Sequence, residues 1–147
     1  MTLAALALGW WEAAAVAALR RALRIPDGAP NILLWRQLSG YSLRTEQGRR
    51  VCGLLLLGLF SGSVAAQPLH GILLFGWGWA LWNVAYYGWL RLMVGWPRSL
   101  ITLDFLTLIP RPWIGPVWLS LLVSAGLAAG CGIALLSTLP VSYTHLT

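Results

Sequence analysis

The chain has no lysine: all ten of its basic residues are arginine, and only four acidic residues oppose them. Charged residues make up 10% of the sequence, against about 25% in soluble globular domains. A water-soluble fold of 147 residues could not clothe its surface with so few. Two cysteines, Cys52 and Cys131, are too few and too far apart for a Cys-x-x-Cys or metal-ligand pattern, and read as small apolar helix residues. In the topology below they fall near opposite membrane faces, which excludes a disulfide. There is no glycine-rich phosphate loop, no nucleophile paired with a base and no metal-binding cluster, so no cofactor is expected.

What is present is apolar. Hydrophobic residues make up 59% of the sequence and the net charge is +6, with a mean hydropathy of +0.73. A basic chain can bind nucleic acid. Here the arginines lie between apolar runs, so membrane topology and anionic lipid headgroups explain them, and no nucleic-acid partner is expected. The expected class is an all-α transmembrane helical bundle, one domain over residues 1–140. Four spans are predicted, at about 2–19, 51–66, 70–93 and 117–138, with a Trp/Pro-rich interfacial loop before the last.

The first run is rich in alanine and carries Glu12 at its centre. A central carboxylate costs about 2.5–3.5 kcal/mol to insert, so an interfacial helix, leaving three spans, is the alternative. Residues 20–50 are the polar part of the chain, with seven arginines and the turn-forming Pro26-Asp27-Gly28. Within it, residues 31–38 predict a short helix capped by Asn31, with Trp35 facing the lipid surface. The second run is short, and its Gly58 and Gly62 make a small-xxx-small pair that lets helices approach closely. Gln67-Pro68-Leu69 predicts a tight turn into the third run.

In that third run helical spacing puts Phe75, Trp79, Trp82, Tyr86 and Trp89 on one face and Gly78, Leu81, Ala85 and Gly88 on another. The aromatic column suits packing against neighbours, or a flat pigment, quinone or sterol. Asn83 at mid-membrane is expected to face another helix, since an amide in hydrocarbon needs partners. Tyr87 lies one turn from it. Residues 95–116 contain four prolines with Trp96 and Trp113. Proline excludes a continuous helix and tryptophan prefers the headgroup level, so residues 99–109 predict a short interfacial helix. There Asp104, with Arg98 and Arg111, forms a candidate lipid-headgroup site. The last run pairs Ser120 with Ser124 and Gly126 with Gly130, again at packing spacing.

Alternating spans place residues 20–50 and 91–116 on one side, and together these hold all ten arginines. The positive-inside rule makes that side cytoplasmic, with both chain ends outside.

Two resemblances follow from particular residues. Trp82-Asn83-x-x-Tyr86-Tyr87, Gly95-Trp96-Pro97-x-Ser99-Leu100, Asp104-x-Leu106 and Ile109-Pro110-x-x-Trp113-x-Gly115-Pro116 resemble a pattern of small bacterial multi-pass membrane proteins of no established activity. The resemblance implies the bacterial inner membrane. In that pattern an aspartate often follows the tryptophan where this chain has Asn83. Separately, the closing residues Val-Ser-Tyr-Thr-His-Leu-Thr (141–147) resemble a translated sequencing adapter, so they are expected to be a non-native tail.

Three functions fit these features. The first is a structural or accessory subunit that assembles, with itself or a larger membrane complex, through small-residue helix faces. The second is a small oligomeric transporter or channel using Glu12, Asn83 and Tyr87, since intramembrane polar groups are functional candidates by default. The third is an interfacial lipid-active enzyme using Arg98, Asp104 and Arg111. The topology itself is testable: Arg44→Cys and Arg98→Cys should both react with an impermeant thiol reagent from the cytoplasmic side alone. Labelling from opposite sides would overturn the assignment.

Overall fold

A computed structural model describes residues 1–38, 40–107 and 113–138. Its elements in chain order are α1 (Thr2–Ala22), α2 (Ile32–Gln37), α3 (Gly40–Val64), α4 (Pro68–Val94), β1 (Leu103–Thr107), β2 (Trp113–Pro116) and α5 (Val117–Ser137). Arg111 and the 141–147 tail lie outside the described residues.

Helix α4 is the centre, and α1, α3 and α5 each pack against it. Glycine sets how closely they do so. A Cβ on Gly9 of α1 would lie 2.6 Å from Ala85 Cβ, one on Gly53 of α3 would lie 2.5 Å from the Trp82 ring, and one on Gly76 would lie 2.7 Å from Cys131 Sγ of α5. Helix α1 runs parallel to α4, because Met1 meets Gly78 and Gly9 meets Ala85. Helices α3 and α5 run antiparallel to it: Leu57 meets Gly78, Trp82 meets Gly53, and Trp77 meets Gly132. The end of α1, the start of α3, the end of α4 and the start of α5 therefore share one end of the molecule. Every described arginine belongs to these segments or to the loops and α2 joining them. The buried core sits at that same end, built from residues such as Val16, Leu34, Tyr86, Leu90, Trp96 and Val117.

Local chemistry fixes the element ends. Pro68 opens α4 at a position where its missing N–H is no loss, and Gly95 closes it in the left-handed conformation at φ 65°. The first N–H groups of α5 would be orphaned, but Val117 N and Trp118 N donate to Thr102 O and Leu100 O at 3.0 and 2.9 Å.

Several expectations are corrected. Two helices among the described residues, not four, are long and apolar enough to cross a membrane: Thr2–Ala22 and Val117–Ser137. Helix α3 begins at Gly40, so its first half carries Arg44, Glu46, Arg49 and Arg50 and only its second half is apolar. Helix α4 has the length, but its tryptophans, tyrosines, glycines and Asn83 hold its hydropathy down. The fold is not purely helical either. Residues expected to form an interfacial helix contain β1, which pairs antiparallel with β2 in the register Leu103↔Pro116, Asp104↔Gly115, Phe105↔Ile114 and Thr107↔Trp113. The Leu-Asp-Phe-Leu-Thr run extends instead, its residues suiting a strand that residues 113–116 can pair. Tryptophans expected at the water interface divide: Trp35 and Trp96 are buried and Trp113 is exposed. The aromatic column of α4 also divides, with Trp82 and Tyr86 buried but Trp79 and Trp89 more than a third exposed.

The Gly9 seat predicts a large penalty for bulk. Gly9→Leu should lower stability by about 1–3 kcal/mol through overpacking against α4, while Gly126→Ala, where nothing lies within 4 Å, should leave it unchanged. Thermal unfolding in detergent, followed by circular dichroism, separates the two; equal midpoints would contradict the α1–α4 packing described.

Candidate functional site

The buried face of α1 is a stripe of small residues, Ala5, Gly9, Ala13 and Ala17, and helical spacing puts Glu12 and Arg20 on that same face. Both are therefore carried into the protein. Glu12 is 5% exposed and Arg20 1%. Around them gathers the polar cluster that is the candidate site.

Arg20 has no carboxylate partner within the cluster's hydrogen bonds. Its Nη1 donates to Asn31 Oδ1 at 2.7 Å, and Nη2 donates to Pro26 O at 3.0 Å and Ala29 O at 2.9 Å. The guanidinium thus holds the turn that brings the chain back from α1, and Asn31 Nδ2 passes the connection to the Tyr86 hydroxyl at 3.2 Å. Asn31 stands at the N-terminal boundary of α2 as expected, yet its side chain does not cap that helix. Its amide is committed to Arg20 and Tyr86 instead. Trp35, expected to face lipid, packs edge-on against Phe105 of β1 at 5.7 Å between ring centroids.

Glu12 pairs with Arg50 of α3, Oε1 to Nε at 2.8 Å. The contact neutralises the charges without an aligned hydrogen bond, so both atoms keep an unused bonding direction. Next to it Tyr86 and Tyr87 stack edge-to-face at 5.0 Å. The Tyr87 hydroxyl donates to Asp104 Oδ2 at 3.2 Å, while Asp104 Oδ1 is buried without a partner. Burial pushes the Asp104 carboxyl up from its ordinary 3.8 to about 6, and the Phe105 amide and the Arg50 charge restrain it from rising further.

The residues predicted from sequence are only partly brought together. Glu12 and Tyr87 join the cluster. Asn83 does not: its Nδ2 donates to Trp79 O of its own helix at 3.1 Å, and it lines a separate cavity of ≈ 200 Å³ between α4, α5 and the hairpin. Among the described residues, Asn83 and the Glu12–Tyr87 cluster therefore stand apart within one chain. The expected headgroup trio separates as well. Asp104 is 2% exposed and turned onto Tyr87, whereas Arg98 is exposed, lies against Gly28 and reaches Asp27 O at 3.5 Å. Arg111 falls outside the described residues. Arg20, Asn31, Arg50 and Tyr86 were not expected at the site from the sequence, where Asn31 read as a helix cap and Tyr86 as part of an aromatic column. Only Arg20 left a signal there, its place on the small-residue stripe.

No family model, no curated protein and no solved structure matches the chain. No activity can be carried over from a relative, and the resemblance of residues 82–116 stays an expectation. Chemically the cluster is a set of tethers: it binds α1, the 23–31 loop, α3, α4 and β1 to one another. Among the described residues no three His, Cys, Asp or Glu side chains meet to hold a metal.

A raised carboxyl makes the folded state bind a proton more tightly than the unfolded chain. Asp104 therefore supports folding at low pH, and its support falls as pH rises from about 4 to 6, by about 2–3 kcal/mol in all. Asp104→Asn keeps an oxygen for Tyr87 and carries no charge to bury. It should be more stable than the unaltered chain at pH 7.5 and equal to it at pH 3, below the unfolded carboxyl's ordinary value, as read by unfolding in detergent. The same stability gap at both pH values would refute this.

Proposed function

We propose that the chain is a membrane-resident accessory subunit that assembles, with copies of itself or within a larger complex, through the open face of α5. One observation carries the reading. The apolar window of α5 is only 11% buried, and its uncovered side presents Gly126 and Gly130, where a Cβ would meet nothing within 4 Å. An apolar helix covered along one side requires lipid or another helix along the rest, and glycine four residues apart favours a helix. In this reading α1 and α5 are embedded, and the arginine-bearing end lies at the anionic headgroups of the cytoplasmic leaflet of a bacterial inner membrane.

The closed character of the polar cluster supports a structural role over a catalytic one. Its charged groups reach for the protein's own backbone and side chains: Arg20 for two carbonyls and Asn31, Glu12 for Arg50, and Asp104 for Tyr87. A buried ion pair of this type is better attested as a device for fixing register than as a source of net stability.

Size in a mild detergent or a nanodisc tests the proposal. The unaltered chain should run as one defined oligomer or co-purify with one fixed membrane partner. The double variant Gly126→Leu, Gly130→Leu should release a folded monomer, because leucine holds the backbones apart. A monodisperse monomer from the unaltered chain would refute the proposal, as would an assembly that the double variant leaves intact.

A further inference from the structure

Among the described residues, three cavities outside the polar cluster can be compared. The groove between α1 and α3 (≈ 800 Å³) and the one between α3 and α4 near their connecting turn (≈ 510 Å³) are lined almost wholly by apolar side chains. The third differs in chemistry. Between α4, the start of α5 and the hairpin, a cavity of ≈ 200 Å³ is lined by Asn83, Ser120 and Ser124 as well as by Trp79, Trp113 and Leu106. Irregular pairing between Phe105 and Thr107 leaves Leu106 without a cross-strand partner. Its side chain lies over Gly115, where a Cβ would come within 2.6 Å of it, and so it reaches the cavity as a wall.

We infer that this cavity seats the head of an uncharged, oxygen-bearing lipid, a hydroxyl or carbonyl compound whose tail runs out along α4 and α5. Four features carry the inference. The polar lining is neutral: serine hydroxyls donate and accept, and Asn83 spends one N–H on Trp79 O, leaving its carbonyl and a second N–H. Ser124 is 2% exposed, so its hydroxyl sits inside the wall and not on the open surface. Behind the wall Ser120 meets the Tyr87 hydroxyl, which holds the Asp104 carboxyl, and a carboxyl group there disfavours an anionic head. Finally, the volume is below the roughly 300–1,000 Å³ of sites that enclose a whole small molecule. Only a head fits, and Trp79, Trp113 and Val123 are exposed around it, so the mouth opens outward to where a tail would lie.

Depth agrees with this ligand. The α5 residues of the cavity lie two to seven positions after Val117, roughly 3–11 Å along the helix. If α5 begins near the membrane surface, this is below the phosphates, at the level of glycerol hydroxyls and ester carbonyls. The inference thus rests on the membrane residence argued above, though not on the oligomer.

The test uses the full chain, purified in a neutral detergent and given equal amounts of 1-monooleoylglycerol and phosphatidylglycerol, with retained lipid counted by native mass spectrometry. One monooleoylglycerol should be retained, at least tenfold over phosphatidylglycerol. Decylubiquinone, the carbonyl-headed arm, should compete if a ring carbonyl serves as well as a hydroxyl; its success or failure tells which uncharged head is preferred and supports the site in either case once monooleoylglycerol is retained. Ser124→Leu, which fills the cavity, should abolish the preference, and Leu122→Phe on the exposed side of α5 should keep it. A diazirine-bearing monoacylglycerol provides a readout on the unaltered chain, should Ser124→Leu fail to fold: it should label the cavity's own walls, residues 119–124 of α5 with Trp79, Asn83 and Trp113. Equal retention of both lipids, or labelling elsewhere, overturns the inference while leaving membrane residence standing. A chain that stays in solution without detergent and retains neither lipid overturns both.

Discussion

A guanidinium buried without a carboxylate is the constraint around which the rest is arranged. Arg20 cannot lose its charge, and it is shielded from water, so its donors must find oxygen inside the protein. The 23–31 loop turns back to supply it, through Pro26 O, Ala29 O and the Asn31 side chain. That return places Asn31 against Tyr86 and Trp35 against Phe105. It also lets Gly28 N donate to Val94 O at 2.8 Å, which ties the loop to the end of α4. Removing the guanidinium would leave the buried Asn31 Oδ1 without its donor, a cost of about 1–3 kcal/mol, and would release the part-buried carbonyls of the loop.

This concentration of bonding divides the molecule by length. At the arginine end, helices, loop and hairpin enclose a core of their own, and Trp96, Leu34 and Leu90 are fully buried. Toward the other end the helices meet at glycine seats and at a few side chains, such as Leu57 and the His70–Thr138 and Trp77–Thr2 pairs. There the outward side chains, such as Leu3, Leu59, Ile72, Ile133 and Leu136, stand mostly exposed. One half carries the specificity of the fold. The other offers surface of the kind that a bilayer or a neighbouring helix covers.

Sequence periodicity located α1, α4 and α5, though not the start of α3, because helical spacing is local. Pro68 and Gly95 mark α4, and Pro116 precedes α5, within two residues of the expected boundaries. It misjudged what depends on contacts distant in the chain. Trp35 and Trp96 share their composition with interfacial tryptophans, and only the hairpin and the returning loop make them core. The hairpin was hidden because Ser99–Thr107 contains residues that suit a helix, and pairing with residues 113–116 decided otherwise. Of the buried charges, Glu12 could be seen from its apolar flanks. Arg50 reads as the edge of a polar loop, and only its pairing with Glu12 shows its place. Asn83 is a mixed case: it stands beside α5 and the hairpin, while its amide bonds its own backbone one turn back.

The separation of Glu12 from Arg50 along the chain bears on biogenesis. Helix α1 leaves the ribosome with a lone carboxylate at its middle, and the compensating cation lies beyond the whole of the returning loop and α2. Until α3 follows, that carboxylate has no cation to pair with, and the helix's seat on Ala85 is made later still. The contacts that hold the first segment in place are therefore completed only once α4 has been made.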